Sequence, residues 1–528
     1  MFGNIKIAAI GLLLLAMVKG YAQKTPARRV HDEVIYHMFQ RSFYDSNGDG
    51  HGDFNGIKEK LNYLQDLGVT AIMLVPVVES SYYHNYFSGD FEKIDPKYGT
   101  WQDFTSLIKE IHRRGMKIYL DMETQYITED HAWYKDSYQN PKSAFSDYLI
   151  YNGPGNTKPE SIIYDITELK GYDGTVKKIT TVNLHSKKVL DYNFKLFKRF
   201  ADPNGDGNFS DGVDGFRLDH MQDDLDGKKN MTNLFELFWS PLIARLKAVN
   251  PKLKFVAEQA NWIDYGYEYF KNGHVDRVFA FNLQNAIESF DKHKLAVAAD
   301  STLNLTPAAN QQVVFIENHD MSRFSTAVKQ DPGKLRVGAA LNLLIGGVPA
   351  IYYGQELGMT GYGGPGKYGT SDGNDIPQRE AFEWYKSDEG EGMALWYKDS
   401  GPWWTDTNLK PNDGISLEEE KDDPNSLYYF YHALLHLRKS HTVLISGKFR
   451  NLKNDNDHVF SFMRCTRNKK AVVIVNLSNE QQTVNVGPYR KNTKAVFTSI
   501  FGVTPLHSDA GVLSGTLAPY AIEVLDVK

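Results

Sequence analysis

Short runs of apolar residues recur along the chain, with amphipathic segments between them. In order they are Val34–Phe39, Ala71–Pro76, Lys117–Met122, Gly215–Asp219, Phe255–Glu258, Arg277–Phe281, Val313–Asn318 and Ala350–Gly354. Runs of this length without polar alternation fit strands buried on both faces, as in a parallel sheet. The segments between them carry helical spacing. Ile57, Leu61, Leu64 and Leu67 share one face before Gly68, and Phe104, Leu107, Ile108 and Ile111 share another before Gly115. Eight strands alternating with helices predict an α/β fold, the (β/α)8 or TIM barrel, over 23–124 and 183–440.

Two breaks in the pattern add to that plan. The third and fourth runs lie much farther apart than one helix requires, and 125–182 is rich in Tyr, Gly, Asn and Lys. It reads as a subdomain inserted after strand 3. After about residue 445 the pattern turns to alternation, as in Val459-Phe460-Ser461-Phe462, and 445–528 predicts a C-terminal antiparallel β-sandwich. At the other end, Lys6 precedes the apolar run Ile7 to Val18, and Gly20-Tyr21-Ala22 supplies small residues before Gln23. Residues 1–22 therefore read as a cleaved signal peptide, giving a secreted or periplasmic protein with no integral membrane association.

Composition narrows the function classes. Lys and Arg number 59 against 65 Asp and Glu, a net charge of −6, so no basic field exists to hold nucleic acid. A single Cys in 528 residues excludes an intramolecular disulfide framework and a multi-cysteine metal site. Aromatic residues make up 13% of the chain, enough to suggest flat ligands laid on rings or a ring-rich core.

Barrel enzymes carry their chemistry at the C-terminal ends of their strands. Asp219 follows the fourth run, Glu258 the fifth, and Asp320 lies just past the seventh. Alternation along a strand puts Arg217 on the same side as Asp219, where a cation would keep the carboxylate ionised. One ionised carboxylate and one protonatable one are the requirement of retaining glycoside hydrolysis, as nucleophile and as acid.

These residues sit in motifs. Gly215-Phe216-Arg217-Leu218-Asp219, Val256-Ala257-Glu258 and Glu317-Asn318-His319-Asp320 resemble the signature strands of the α-amylase superfamily, glycoside hydrolase family 13, and the resemblance spans about residues 30 to 525. It implies Asp219 as nucleophile, Glu258 as acid/base and Asp320 as transition-state stabiliser. It further implies Arg217, His319 and the stacking Tyr86 of His84-Asn85-Tyr86 as substrate contacts. The third-strand motif departs from the family: Gln125-Tyr126 stands where Asn-His is usual, so Tyr126 is expected at the substrate. Asp121 is retained, as a partner for Arg217. Many endo-acting members carry Lys-His where this chain has Gln222-Asp223.

Two loops have the spacing of calcium ligands. Asp45, Asn47, Asp49 and Asp53 place side-chain oxygens at relative positions 1, 3, 5 and 9, with Gly50 at 6 and the carbonyl of His51 at 7. Related family members carry a calcium loop at this place. Asp202, Asn204, Asp206 and Asn208 repeat the spacing ahead of the fourth strand, continuing to Asp211, and polar turns of this kind also occur without metal. Tyr82, Tyr83, Tyr86, Phe87, Tyr126, Trp133, Tyr134, Trp262, Tyr265 and Tyr267 fall in loops on the expected mouth side and suggest sugar platforms, Trp262 among the substrate contacts. Trp384, Trp396, Trp403 and Trp404 either extend that cleft or seal the loop that carries them.

The leading expectation is hydrolysis of α-1,4 links in starch-derived α-glucans or maltooligosaccharides, with Ca2+ and without an organic cofactor. An α-glucosidase, a cyclomaltodextrinase- or neopullulanase-like enzyme and a transglycosylase share the same acids and stay open, as does the oligomeric state. A glycan-binding relative without catalysis would tend to have lost one acid, and all three are present.

Overall fold

Eight short parallel strands close on one another in the computed structural model, which describes residues 32–364, 366–487 and 495–528. They are β1 Ile35–Met38, β2 Ala71–Leu74, β3 Lys117–Met122, β4 Gly215–Leu218, β5 Lys254–Ala257, β6 Arg277–Phe279, β7 Gln311–Val314 and β8 Val348–Tyr352. Each apolar run of the sequence contributes one strand. The strands are buried almost throughout because each has two apolar neighbours. Ile35, Met73, Tyr119, Val256, Phe279, Val313 and Val348 fill the barrel interior as one cluster, and alternate residues such as Tyr36, Ile72, Ile118 and Phe216 face the helices in a second. The signal-peptide stretch 1–22 lies outside the described residues.

Helix placement follows local chemistry. Thr100 and Asp103 form a capping box at the start of helix Trp101–Arg113, whose Phe104, Leu107, Ile108 and Ile111 are buried. Burying four such side chains is worth roughly 1.5–3 kcal/mol each. The first amphipathic segment forms two helices, Phe54–Glu59 and Leu61–Leu67, broken at Lys60 and stopped by Gly68 at φ 107°. Only glycine adopts that angle without strain.

Beside the barrel mouth lies a five-stranded sheet in the order Val78–Ser80, Ser88–Ile94, Tyr126–Thr128, Val176–Thr181, Glu168–Lys170. Its first two strands come from the loop after β2, so the segment 125–182 shares one sheet with residues upstream of β3. The turn between those two strands carries Tyr86 to the barrel axis. The C-terminal region is antiparallel. One sheet runs Lys448–Asn451, Val459–Cys465, Lys470–Asn476, Ile522–Val527, Phe497–Phe501, and a second runs Gln482–Val486, Val512–Leu517, His507–Asp509. Cys465 is a free thiol. Among the described residues no helix is long and apolar enough to cross a membrane.

Candidate active site

The site is built outward from β4. A Cβ on Gly215 would lie 2.1 Å from the carbonyl oxygen of Lys254, so glycine lets β4 and β5 close up. Register then aligns Arg217 with Asp121 on β3 and with Val256 on β5. Alternation turns Arg217 inward, where it is almost fully buried. Its guanidinium is the hub of the cluster. Nη1 lies 2.5 Å from Asp121 Oδ2 and 2.5 Å from Asp219 Oδ1, and Nη2 lies 3.0 Å from Glu258 Oε2.

The three sequence-selected acids meet at this hub and its rim. Asp219 follows β4 directly; its N–H donates to the Met122 carbonyl at 3.2 Å, and its own carbonyl accepts from Gln125 Nε2 at 2.6 Å. Glu258 follows β5, with Oε2 accepting the His220 N–H at 2.9 Å and Oε1 accepting Trp262 Nε1–H at 3.1 Å. Asp320 lies in the loop after β7, with His319 Nε2 3.0 Å from Oδ2 and Arg379 Nη2 3.0 Å from Oδ1. Tyr86 stacks on His319 at 5.2 Å and 12°, and its hydroxyl donates to Asp121 Oδ2 at 2.7 Å. Asp320 is the most open of the acids, its side chain 28% exposed against 14% for Asp219 and 7% for Glu258.

Charge is distributed unevenly. Burial pushes Asp121 up to about 6 and raises Asp219 well above the usual carboxylate range, both against the pull of Arg217. Glu258 is lowered: burial raises it, but Arg217 and the His220 N–H outweigh burial. Asp320 is lowered likewise, by His319 and Arg379 over its burial. Four carboxyl groups around two guanidiniums titrate as one coupled unit, burial raising Asp121 and Asp219 while the cations lower Glu258 and Asp320.

The aromatic residues divide differently from the sequence expectation. Trp262 and Tyr86 reach the cleft, and Trp262 is parallel to Phe281 at 5.0 Å. Tyr126 is fully buried and stands edge-on behind His220 at 6.0 Å, so it supports the cleft from behind without facing it. Tyr82, Tyr83, Phe87, Trp133 and Tyr134 are buried in the core and are not open platforms. Trp396 and Trp403 seal their loop: Trp396 stacks on Tyr83 at 4.6 Å, and both meet Tyr172 of the neighbouring sheet edge, at 5.2 and 6.3 Å.

Three residues at the mouth escaped the sequence reading. Arg379, carried on the loop after β8, donates Nε–H to the His319 carbonyl at 2.8 Å and Nη1–H to the Tyr83 hydroxyl at 2.9 Å. His220 pairs with Asp226 at 2.5 Å. Tyr164 stands 67% exposed, at φ 45°, edge-on to His220 at 5.6 Å, with its N–H donating to Asp226 Oδ2 at 2.9 Å. A histidine directly after an acid at a strand end was a signal for His220. Nothing in periodicity marks Tyr164, because its exposure follows from a left-handed backbone.

The first candidate calcium loop lies on this face. Asp45 accepts N–H groups from Asn47, Gly48 and Gly50 at 3.1, 2.7 and 2.7 Å, while Asp53 caps helix Phe54–Glu59 through the Gly56 N–H. The oxygens of Asp45, Asn47, Asp49 and Asp53 and the His51 carbonyl suit a hard cation by type, although Asp49 Oδ2 already has Lys97 Nζ at 3.3 Å. Among the described residues no three His, Cys, Asp or Glu side chains form a metal-holding group by themselves. The second loop, Asp202 to Asn208, lies at the opposite end of the barrel, ahead of β4.

Comparison with known proteins agrees with this geometry. The family model "Alpha amylase, catalytic domain" matches residues 37–447. Alpha-amylase 3 of Dictyoglomus thermophilum is 30% identical over 86% of this chain and 86% of its own. The oligo-1,6-glucosidase of Parageobacillus thermoglucosidasius is 26% identical over 85% and 90%, and several further relatives of similar identity are also named oligo-1,6-glucosidases. The crystal structure of an alpha-amylase from H. orenii superposes with a TM-score of 0.77 at 26% identity, covering 94% of this chain and 99% of that one.

Proposed function

The chain belongs to the α-amylase family of glycoside hydrolases, and from that premise we propose that it is a retaining, exo-acting α-glucosidase that removes single glucosyl units from short α-glucans. The observation that carries the exo reading is the wall behind Arg379. Arg379, bonded to Asp320, also donates to the hydroxyl of Tyr83 from the loop after β2. Tyr83 packs ring on ring with Tyr172 from the inserted segment and Trp396 from the loop after β8, with Trp403 of that loop against Tyr172. Rings packed behind one flank of the acids favour a chain end over a running chain. The relatives named oligo-1,6-glucosidases favour this reading over the starch-cutting amylase that led the sequence expectations.

In the proposed reaction Asp219 attacks the anomeric carbon while Glu258 protonates the departing glycosidic oxygen. Water, deprotonated by Glu258, then releases the sugar with its configuration kept. Arg217 bonds both carboxylates, which favours the short spacing, about 5 Å, of retaining enzymes. The reaction needs Asp219 ionised and a proton on Glu258, against the directions in which burial raises Asp219 and Arg217 lowers Glu258. Asp320, kept ionised by His319 and Arg379, faces the hydroxyls of the distorting ring, and Tyr86 supplies a stacking face.

Ca2+ at Asp45, Asn47, Asp49, Asp53 and the His51 carbonyl would cross-link the loop after β1 and supply rigidity. Residues 1–22 support export to the periplasm or beyond. The test is a product profile on maltose, isomaltose, maltoheptaose and soluble starch, with the first-formed anomer read by proton NMR. Glucose released as the α-anomer, with starch–iodine colour nearly unchanged, is the expected result. Rapid loss of iodine colour with little glucose would overturn the exo reading, and a β-anomer would overturn retention.

A further inference from the structure

The loop that feeds β4 at the face opposite the acids leaves carboxylate oxygens buried without partners. It follows helix Lys187–Ala201 and runs Asp202-Pro203-Asn204-Gly205-Asp206-Gly207-Asn208 into the turn Phe209–Asp211. Its backbone repeats that of the first loop. Asp202 Oδ2 accepts the Gly207 N–H at 3.2 Å, as Asp45 Oδ2 accepts that of Gly50 at 2.7 Å. Gly205 and Gly207 adopt φ 72° and 77° in open space.

The two loops differ in what their carboxylates meet. In the first, both oxygens of Asp45 and both of Asp53 accept N–H or O–H donors from the loop itself. In the second, Asp202 and Asp211 are each 4% exposed, and Oδ1 of each is buried with no donor at all. Asp202 Oδ2 accepts the Gly207 N–H, and Asp211 Oδ2 shares one neutral donor, Asn204 Nδ2, with Asp206 Oδ2, at 2.9 and 3.0 Å. The nearest cation, Lys109 Nζ, is 3.9 Å from Asp211 Oδ2 and 62% exposed. Arg199 lines the adjoining cavity of about 390 Å3 but lies over the Trp101 ring at 4.3 Å. Buried anionic oxygens without donors are costly unless a cation reaches them. A bare divalent ion can enter a space between oxygens from which a water is excluded.

We propose that this loop is a second, structural Ca2+ site, with oxygens from Asp202, Asn204, Asp206 and Asp211 and the carbonyl of Asn208. The carboxylates do not gather without the Asn204 carboxamide, so the site closes when its side-chain oxygen turns inward onto the ion. The ion takes no part in glycoside chemistry. It fixes the start of the strand that ends in Arg217 and Asp219. His112 already ties the same segment to helix Trp101–Arg113, through the Ser210 carbonyl at 2.8 Å and Asp214 at 2.9 Å.

Terbium luminescence on the full-length chain tests the site, because Trp101 lines the same cavity as Asn204 and Asp211 and can sensitise a bound lanthanide. Trp384 lies beside the first loop, bonded to the Phe43 carbonyl, so that loop is first disabled by Asp49→Asn; emission excited through tryptophan should persist in this variant and vanish when Asp211→Asn is added. Added Ca2+ should raise the melting temperature of Asp49→Asn by several degrees and leave that of the double variant Asp49→Asn with Asp211→Asn unmoved. Asp206 is exposed, so Asp206→Asn repeats the test without disturbing the buried pair if Asp211→Asn does not fold. Emission of Asp49→Asn that survives the addition of Asp206→Asn, or no sensitised emission in Asp49→Asn, overturns the proposal. No readout depends on glycoside hydrolysis, so the result is independent of the catalytic reading.

Discussion

Asp219 bears directly on the proposed chemistry, because Arg217 at 2.5 Å can stabilise its anion but not an amide in its place. Asp219→Asn is expected to lower kcat on p-nitrophenyl α-glucoside by about 10³-fold or more. A variant that keeps a tenth of the rate excludes Asp219 as nucleophile. Tyr164 bears on the leaving group. It is exposed, strained at φ 45° and leans on His220, whose N–H holds Glu258 Oε2. A ring placed there can stack on the departing sugar, worth about 1 kcal/mol. Tyr164→Ala should therefore raise KM for maltose or isomaltose about five- to tenfold and leave KM for α-glucosyl fluoride, which has no second ring, unchanged. Equal effects on both substrates would place Tyr164 elsewhere in the mechanism. The acids were legible in the sequence because Asp219 and Glu258 end apolar runs and Asp320 lies just past one. The rings were not, since composition does not separate Tyr126, fully buried, from Tyr164, 67% exposed.

The strands were legible for the same reason the barrel closes: each is buried on both faces, so its run is apolar throughout. The sheet beside the mouth was not, because its strands are partly polar, and the pairing of Val78–Ser80 with Ser88–Ile94 shifts register twice. The closeness of β4 and β5 rests on one atom. In Gly215→Ala the new methyl must move the Lys254 carbonyl from 2.1 Å, parting the strands that hold Arg217 and Glu258. A cost of about 2 kcal/mol in urea unfolding is expected, with kcat per folded molecule also reduced. An unchanged midpoint and kcat would mean the strands slide without penalty. The turn after β8 carries a second test. Glu356 accepts the hydroxyls of Tyr36 and Tyr63, its Oε2 has no partner, and burial pushes it up to about 7. The folded state therefore keeps a proton that the unfolded chain loses near 4.5. Stability falls as pH rises from there to about 7, by up to about 3 kcal/mol for this group. Glu356→Gln removes the titration, so the melting temperature of the variant relative to wild type should climb between pH 5 and pH 8. A constant difference would refute the assignment.

Barrel and C-terminal sheets are joined by buried arginines, and this joint has no signature in hydrophobic pattern because its charges answer carbonyl groups distant in sequence. Arg464, on strand Val459–Cys465, donates Nη1–H to the Leu344 carbonyl at 2.9 Å and Nε–H to that of Gly447 at 2.9 Å. Leu344 is the last residue of helix Pro332–Leu344, whose terminal carbonyls have no partner within the helix and carry the negative end of its dipole. Arg438 treats the same corner alike, bonding Leu343 at 2.8 Å and the Leu444 carbonyl at 3.2 Å. Burial and the neighbouring Arg438 pull Arg464 down to about 9, so holding this charge has a cost, and two opposing effects meet in any substitution. Arg464→Met relieves the desolvation but strands at least two buried carbonyls. Hydrogen bonds to a charged donor are worth about 1.5–3 kcal/mol each, more than the relief, so we expect a net loss of about 2–4 kcal/mol in urea unfolding. Because the joint lies at the outer end of the helix that leads into β8, away from the acids, KM and kcat of the folded fraction should match wild type. A midpoint equal to or above wild type would show that desolvation dominates and that packing, not these hydrogen bonds, holds the C-terminal sheets to the barrel.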